Sequence, residues 1–292
     1  MTILDKISAG RILLSDGALG TLLQARGLKP GECPEMWNIT HPAELKEIAE
    51  SYIRAGSDII TTNSFGGSRY KLAQYGLAGR VEELNRVAAE ICREAAGTEK
   101  HVAGSIGPTG KMLIMGDVTE EELYEAFSEQ AAALENGGAD IMIIETMTAA
   151  DEAAIAVRAA RAATSCTVIV TMTFSGDGNG EYHTMMGVSP EEMIVSMKEA
   201  GAHITGSNCG NGIAGMTGVL KAIRKADQNI PVIIQANAGL PELADGKTVY
   251  RETPQMMVSF VPELLRNGVN IIGGCCGTTP AHISEIARAI GR

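Results

Sequence analysis

Eight short runs rich in isoleucine, valine, methionine and threonine alternate along the chain with longer amphipathic stretches, and this alternation limits the possible folds more than any other feature. Most of the runs are almost continuously apolar, which is typical of parallel strands covered by helices. Eight β-then-α units without a linker or low-complexity break favour the α/β class and a single (β/α)8 TIM barrel. The predicted strands are Ile12–Asp16, Asp58–Asn63, His101–Ile106, Asp140–Glu145, Thr167–Phe174, His203–Asn208, Val232–Asn237 and Asn270–Gly274.

Local signals for the starts and ends of helices support the same number of units. Capping boxes at Thr119 and Ser189, and Thr-Pro pairs at Thr253 and Thr279, each predict the start of a helix. An apolar stripe within 257–265 predicts one helix after Thr253. A glycine past a helix end relieves a left-handed turn, and such glycines precede strands two, four, six and eight. They are Gly56, Gly138, Gly201 and Gly268.

An open doubly wound sheet is the alternative architecture. It is less favoured because no G-x-G-x-x-G follows the first strand and because eight regular units favour closure. The length of 292 residues suits one barrel, so a single domain is expected over 1–292. Apolar residues make up 45% of the chain and charged residues 20%, which is the usual balance for a globular domain with a large core.

Charge and hydropathy argue against several classes of function. The net charge is −11 and no run of lysine or arginine is present, which argues against a nucleic-acid surface. No apolar run approaches the ~20 residues that cross a bilayer, and no secretory leader is recognisable, so we expect a cytoplasmic protein without membrane contact. In that compartment the six cysteines stay reduced, which favours metal binding or packing over disulfides.

Three of the six cysteines fall at the carboxyl ends of predicted strands, where barrels of this kind hold their chemistry. Cys209 follows strand six, and the pair Cys275-Cys276 follows strand eight, so the three thiolates can reach one metal ion at the mouth. Three protein ligands with one open position are typical of catalytic zinc. We infer that an all-sulfur ligand set favours activation of a bound thiol over activation of water. Simple burial is the alternative for any cysteine. That interpretation is applied to Cys33, Cys92 and Cys166.

Two carboxylates, Asp16 and Glu145, end strands one and four at the same mouth. We interpret them as groups that hold a substrate ammonium, with capping or a buried salt bridge as the alternative, above all for Asp16. Asn63 and Asn208 could orient polar groups or cap loops. The glycines 273 and 274 could cradle a phosphate, although the thiols beside them make that less attractive.

The glycine-rich stretch Ser175–Gly187 is predicted to be a mobile lid or a partner-docking loop, because loops of this length usually carry function. His183, within this stretch, is interpreted as a solvated loop residue. A zinc hydrolase or lyase would need a water-activating carboxylate beside the metal and would tolerate a histidine ligand, and the strand ends near the cysteines supply neither.

The motifs at these strand ends resemble those of the homocysteine S-methyltransferase family, which includes the homocysteine-binding barrel of cobalamin-dependent methionine synthase and betaine–homocysteine methyltransferase. They run in the family's order over nearly the whole chain, and the paired cysteines with an upstream Asn-Cys-Gly are the most specific of them. The matching segments are Asp16–Thr21, Asp58–Phe65, Gly107–Thr109, Glu145–Thr146, Asn208–Gly210 and Gly273–Gly277.

The resemblance implies a barrel in which the three cysteines at the strand ends ligate one Zn²⁺ ion. It implies that homocysteine is methylated to methionine, and we expect its sulfur to take the open metal position. It also implies that Glu145 receives the ammonium group of the amino acid. The predicted substrate-binding residues are Asp16, Gly17, Gly20, Thr21, Asn63, Glu145 and Asn208.

The methyl donor is less constrained than the acceptor. The segment 61–77 looks closest to the corrinoid-linked branch of the family, so we expect a methylcorrinoid such as methylcobalamin, carried on a separate protein that docks over the mouth. The 292 residues do not contain the folate-binding and cobalamin-binding modules of full-length methionine synthase. S-methylmethionine, S-adenosylmethionine or a betaine-like donor is therefore the alternative, as is another small thiol as acceptor. A purely structural zinc in a binding component is a further alternative.

Overall fold

A closed barrel of eight parallel strands forms the centre of the computed structural model, which describes residues 1–244 and 247–292. The strands are β1 Leu13–Leu14, β2 Ile59–Thr61, β3 His101–Ile106, β4 Ile141–Met147, β5 Thr167–Met172, β6 Ile204–Gly212, β7 Val232–Asn237 and β8 Ile271–Gly274. They pair in the order β1-β8-β7-β6-β5-β4-β3-β2. A parallel bridge between Ser15 and Ile59 joins β1 to β2 and completes the ring. The predicted fold is therefore confirmed.

Helices surround the barrel, and a helix begins after each of the four predicted starts, Thr119, Ser189, Thr253 and Thr279. The hydroxyls of Thr119 and Ser189 each accept a hydrogen bond from the third helical amide, completing the two capping boxes. The α-helices are α1 Ile3–Ser8, α2 Gly20–Ala25, α3 Trp37–Thr40, α4 Pro42–Arg54, α5 Arg69–Ala73, α6 Val81–Ala96, α7 Glu120–Asn136, α8 Ala150–Ala163, α9 Pro190–Ala200, α10 Ile213–Ala226, α11 Pro254–Val258, α12 Val261–Arg266 and α13 Pro280–Ala289. Three 3₁₀ turns, Pro34–Met36, Ala78–Arg80 and Leu113–Met115, complete the described elements.

The single helix predicted over 257–265 is instead two helices, α11 and α12. The break lies just before Pro262, whose ring nitrogen cannot donate to the carbonyl one turn earlier. Proline is tolerated in the first turn of a helix, and α12 starts at Val261 for that reason. The apolar stripe was right about burial, since Met257 and Leu264 are fully buried, and wrong about continuity.

Side chains fill the inside of the barrel and close its amino end. Isoleucines from most strands, with Leu13 and Ala103, form an interior cluster separate from the larger core between strands and helices. Helix α1 lies across this end, with Ile3 buried and Leu4 and Ile7 packed against the cluster. Burying each such side chain stabilises the fold by roughly 1.5–3 kcal/mol. Side chains of the described residues thus fill this end of the barrel, whereas its carboxyl end holds a cavity.

Two short antiparallel hairpins extend from the carboxyl end. One pairs Ser175–Gly176 with Tyr182–His183 inside the predicted lid, and the other pairs Glu242–Ala244 with Lys247–Val249. His183 is exposed, as predicted, whereas movement of the lid stays a prediction. Within the described residues, no helix is both long enough and apolar enough to cross a bilayer.

Candidate metal centre and substrate cavity

Three thiols from two separate parts of the chain meet at the carboxyl end of the barrel. Cys209 lies in β6 and the pair Cys275-Cys276 directly follows β8. The three sulfur atoms all lie within 4.8 Å of one another, and the Cys209 and Cys276 sulfurs are 4.0 Å apart. Zinc–sulfur bonds of roughly 2.3 Å in a tetrahedron place sulfurs about 3.8 Å apart. The donor set and its spacing therefore fit one zinc ion, while the role of these cysteines as ligands remains a prediction.

The local backbone turns these cysteines toward one another. Cys209 has a φ of 59°, which a side chain other than glycine rarely adopts, and the pairing of β6 with β7 shifts register between Asn208 and Gly212. Such a bulge changes the direction in which a side chain points. At Gly274 an added Cβ would lie 2.2 Å from the Thr278 hydroxyl oxygen, so glycine is required for close packing. Packing against Thr278 therefore explains Gly274, and a phosphate-binding role is not needed to account for it.

Neighbouring polar groups tune the three thiols. Hydrogen bonds from Cys275 and Cys276 lower the pKa of Cys209, and the same contacts raise the pKa of Cys275 well above its usual value. Burial and the neighbouring Cys276 raise the pKa of the Tyr250 hydroxyl. Asn237, at the end of β7, also lowers the pKa of Cys209, and its buried Oδ1 has no hydrogen-bond partner among the described residues. This oxygen of Asn237 is therefore available as a metal ligand beside the sulfurs.

A cavity of about 300 Å³ opens over the thiols. All the predicted site residues except Asn208 line it, and within the described chain none of the lining residues is a lysine or an arginine. A ligand with a positive group therefore meets no cation on the cavity wall. The lining residues are Asp16, Gly17, Ala18, Leu19, Gly20, Thr21, Leu23, Pro34, Glu35, Thr61, Thr62, Asn63, Ser64, Phe65, Ser105, Glu145, Thr146, Cys209, Gln235, Gly274, Cys275 and Cys276.

Asp16 lies at the cavity wall where β1 meets β2. Its carboxylate accepts hydrogen bonds from the amide and hydroxyl of Thr61 at 2.7 and 2.8 Å and from the Ser15 hydroxyl at 3.2 Å. Burial raises the pKa of Asp16 to about 6, although these hydrogen bonds favour the ionised form. Neither a helix cap nor a salt bridge accounts for this carboxylate in the described residues.

Glu145 is the second carboxylate of the cavity. Ser105 donates a hydrogen bond to its Oε1, and the Asn208 amide nitrogen lies 3.5 Å from its Oε2. Burial is the main cause that raises the pKa of Glu145 to about 7, and the nearby Asp16 and Cys209 act in the same direction. No lysine or arginine pairs with it in the described part of the chain. A substrate ammonium at this position would supply the missing positive charge.

The two predicted asparagines occupy different environments. Asn63 lines the cavity, and its amide donates to the Pro34 carbonyl at 2.7 Å and to the Asn38 side chain at 3.1 Å. Asn208 is fully buried behind the cavity wall, and other protein groups use its amide. Asn63 therefore lies on the cavity wall, whereas Asn208 lies behind the wall and holds its residues in place.

The loop between β1 and α2 is held by two side chains that the sequence did not indicate. The Tyr52 hydroxyl donates to the Ala18 carbonyl at 2.8 Å, and the Thr278 hydroxyl accepts from the Ala18 amide at 3.0 Å. An added Cβ at Gly17 would lie 2.6 Å from the Thr278 hydroxyl oxygen, so Gly17 is needed for packing. No atom lies within 4 Å of a Cβ built on Gly20, whose backbone lines the cavity instead.

The other three cysteines lie outside the trio. Cys92 and Cys166 are buried, as predicted. Cys33 is also buried, and its sulfur donates to Glu35 Oε2 at 3.3 Å. Glu35 in turn accepts from the Gly66 amide at 2.7 Å and lines the cavity. Their burial supports the packing interpretation for these three thiols.

Several residues that shape the site were not predicted. Thr61 is the last residue of β2 and Ser105 the last but one of β3, so their position near a strand end could have indicated them. Tyr52 and Thr278 lie in a helix and in a turn, and nothing in their spacing indicates that they hold the loop after β1. Tyr250 follows the second hairpin and packs against Gly277, next to the paired cysteines.

The fold and the site together are those of a (β/α)8 barrel enzyme whose cavity gathers thiols and carboxylates at the carboxyl ends of the strands. The family model for homocysteine S-methyltransferase matches residues 13–290. The chain therefore belongs to the homocysteine S-methyltransferase family, and it is an enzyme of that family.

Relatives of known sequence or structure agree with this assignment. Methionine synthase from Mycobacterium tuberculosis is 32% identical over 99% of this chain, and that from Mycobacterium leprae is 31% identical over 97%. The chain spans about a quarter of the length of either relative, 25% in both cases. The oxidized form of the homocysteine methyltransferase MmuM from Escherichia coli superposes with a TM-score of 0.80 at 25% identity, covering 99% of both chains. Its metallated form superposes with a TM-score of 0.78 at 24% identity, covering 95% of this chain and 96% of that one.

Proposed function

We propose that this enzyme transfers a methyl group to the thiol of homocysteine, giving methionine, and that one Zn²⁺ ion is held by Cys209, Cys275 and Cys276. The observation that carries the proposal is the meeting of three thiols, within 4.8 Å of one another, on the wall of a cavity in a homocysteine S-methyltransferase family member. That the E. coli relative was crystallised in a metallated form supports the metal.

The chemistry of the donor set supports the same conclusion. A free thiol has a pKa of roughly 8.5, so most homocysteine is protonated at neutral pH. A zinc ion bound by the three cysteines would supply the positive charge that keeps a coordinating thiol deprotonated. The chain then needs no general base to make the nucleophile. Its own residues have to hold the amino acid so that the sulfur faces the incoming methyl group.

The cavity residues suit an amino acid that carries one positive and one negative group. Glu145 holds the ammonium, and Asp16, which has no cationic partner in the described chain, strengthens the negative field there. Gly17, Gly20 and Thr21 also line the cavity, and their backbone binds the substrate carboxylate. Asn63 holds the neighbouring loop against the site through Pro34 and Asn38. Such positioning of the acceptor could supply several kcal/mol of the barrier reduction.

The donor we favour is a methylcorrinoid, such as methylcobalamin, presented at the mouth by a separate corrinoid-binding protein. The similarity of the whole chain to part of two methionine synthases supports a methyl carrier that lies outside the barrel. We further propose that residues 1–292 act as one domain and that the enzyme works in the cytoplasm. A reducing compartment would keep the three thiols free to bind metal.

A small-molecule donor is the second candidate, with the same acceptor. The observation in its favour is the match to the E. coli homocysteine methyltransferase, which covers 99% of both chains. The chain crystallised for that relative therefore has nearly the same extent as this barrel. Methyl transfer from S-methylmethionine by the purified barrel, with none from methylcobalamin, would establish this candidate over the first.

The substitution Cys276→Ser tests the metal centre. We expect the variant to lose its zinc and at least ~1,000-fold in methyl transfer to homocysteine, because the ion holds the nucleophile, while the barrel stays folded. Zinc content, far-UV circular dichroism and transfer from both candidate donors measure the three properties.

Cys166→Ala is the matched control for Cys276→Ser. The Cys166 sulfur contacts the Ala139 carbonyl near the amino end of the barrel. This variant should keep one zinc per chain and its full rate. Unfolding of Cys276→Ser together with loss of zinc would favour a structural metal instead.

A further inference from the structure

The Asn208 side chain links the strand that carries Glu145 to the strand that carries Cys209. Its Oδ1 accepts from the Thr146 amide at 2.8 Å, and its Nδ2 donates to the Thr146 hydroxyl at 2.8 Å. The same nitrogen lies 3.5 Å from a Glu145 oxygen and 3.8 Å from the Cys275 sulfur. One buried amide therefore contacts the carboxylate side and the thiol side of the cavity at once.

The backbone at both ends of this link is strained. Thr146 and Cys209 have φ angles of 62° and 59°, and they are the two non-glycine residues with positive φ in the described chain. Both lie where strand pairing is irregular, in β4 after Ile144 and in β6 after Asn208. Left-handed conformations of this kind cost on the order of 1–3 kcal/mol each and persist where surrounding contacts hold them. For Thr146, the pair of hydrogen bonds to Asn208 is that contact.

We propose that Asn208 is a positioning residue that fixes the separation between Glu145 and the thiols, and thereby selects acceptors by the length of their side chain. This inference rests on the proposed function, because it concerns the same cavity. It goes further by assigning the preference for homocysteine over cysteine to the link between β4 and β6.

The chemistry of the two amino acids makes length the property to select. Homocysteine and cysteine carry the same ammonium, carboxylate and thiol, and differ by one methylene between the thiol and the α-carbon. A cavity in which the distance between the ammonium site and the thiol site could shorten would accept both homocysteine and cysteine. One methylene in a binding site is worth roughly a 10–200-fold preference. A rigid spacing between the two ends can supply a preference of that size.

Thr171 gives access to the link without altering the cavity wall. It is fully buried in β5, between the two linked strands, and its hydroxyl donates to Asn208 Oδ1 at 2.7 Å. Thr171→Val removes this hydrogen bond while keeping a similar shape, and Thr171→Ser keeps the hydroxyl. Thr205 in β6 is the matched control, because it is also fully buried and its hydroxyl has no partner among the described residues.

The test is calorimetric titration of zinc-loaded enzyme with L-homocysteine and with L-cysteine. We expect the wild type to prefer homocysteine by about 100-fold and Thr171→Val to lose at least ~10-fold of that preference. Asn208→Ala should lose more. Thr171→Ser and Thr205→Val should keep the wild-type ratio. All variants should hold one zinc per chain, which separates an effect on spacing from an effect on the metal.

The outcomes distinguish this inference from the function beneath it. A wild type that binds neither amino acid would remove the proposed function, and the inference with it. A selective wild type whose ratio is unchanged in Thr171→Val would overturn the inference alone. Loss of zinc from Thr171→Val would also overturn it, because the link would then support the metal rather than the spacing. If Asn208→Ala does not fold, the ratio measured for Thr171→Val still tests whether the link fixes the spacing.

Discussion

Two acidic residues near opposite ends of β4 have opposite environments. Asp140 precedes the strand at the amino end of the barrel, where Arg93 lies 2.8 Å and His101 3.3 Å from its carboxylate. Burial alone would raise the pKa of Asp140, but these partners bring it below its ordinary value. Glu145, near the carboxyl end, has no such cation among the described residues, and its pKa is raised to about 7. The first carboxylate stabilises the barrel, and the second is left available for a ligand.

The same contrast holds between β1 and β2. Asp58 at the amino end is 6% exposed and pairs with Arg292 and with Lys100. Asp16 at the carboxyl end is 5% exposed and has only hydroxyl and amide donors. Buried carboxylates without a counter-charge cost stability, which proteins tolerate mainly at functional sites. The barrel thus separates stability, at its amino end, from binding, at its carboxyl end.

Among substitutions that alter these carboxylates, the largest expected effect is on the affinity for homocysteine. Glu145→Gln removes the charge that faces the substrate ammonium, so binding should weaken roughly 100-fold, as measured by calorimetry on the zinc-loaded enzyme. Glu152→Gln is the control, because Glu152 is also buried at this end but does not line the cavity. Equal weakening in both variants would argue that Glu145 does not contact the ammonium.

The same substitution should make the substrate-free protein more stable above neutral pH. The Glu145 carboxyl ionises near 4.5 when unfolded and near 7 when folded, so its cost appears as the pH rises from about 4.5 to about 7 and is complete above that. Glu145→Gln should therefore gain roughly 3 kcal/mol at most at pH 8 and little at pH 4.5. Denaturant unfolding at the two pH values measures the difference.

A smaller effect is expected in the protons released when homocysteine binds. The substrate ammonium favours ionised Glu145, so below pH 7 binding should release a proton from this carboxyl as well as one from the thiol. We expect nearly two protons per homocysteine at about pH 6 and about one at pH 8. Calorimetry in buffers of different ionisation enthalpy gives the number. An unchanged number across this range would exclude Glu145 as the titrating group.

The smallest effect is expected at the other end of β4. Asp140→Asn should destabilise the protein by roughly 1 kcal/mol at pH 7, a modest value because the side chain is 42% exposed and its ion pairs are screened by solvent. The difference should disappear as the pH falls through the lowered pKa of Asp140, where the wild type also loses its charge. Homocysteine affinity should not change. A change in affinity would contradict the separation of the two ends.

Much of the fold could be predicted because buried positions appear in the sequence as a regular pattern of apolar residues. All eight strands lie where the apolar runs placed them, and the glycines before the even-numbered strands adopt the positive φ expected of them. The strand ends were less predictable. β1 is only Leu13–Leu14, and β6 runs on to Gly212 through a bulge. Pairing at such ends depends on the neighbouring strand, which the local sequence does not contain.

The reactive residues of the candidate site could be predicted, whereas the residues that hold them in place were harder to predict. The cysteines and carboxylates were recognisable because their residue types are unusual at strand ends. Asn208 was also recognisable, but its type and place did not reveal that Thr146 and Thr171 use its amide behind the cavity wall. Whether a polar side chain faces a ligand or a neighbouring strand depends on a bulge, and a bulge shifts the alternation of side chains.

Residue type and order along the chain determined by themselves that this protein has eight barrel strands, which of their ends carry thiols and carboxylates, and to which family it belongs. Only the tertiary structure decided that the three sulfurs lie within 4.8 Å of one another and that Glu145 has no cationic partner in the described residues. The reason is physical. Strand formation follows from local periodicity and burial, whereas distances and charges across the barrel depend on closure, which brings together residues that are remote in sequence.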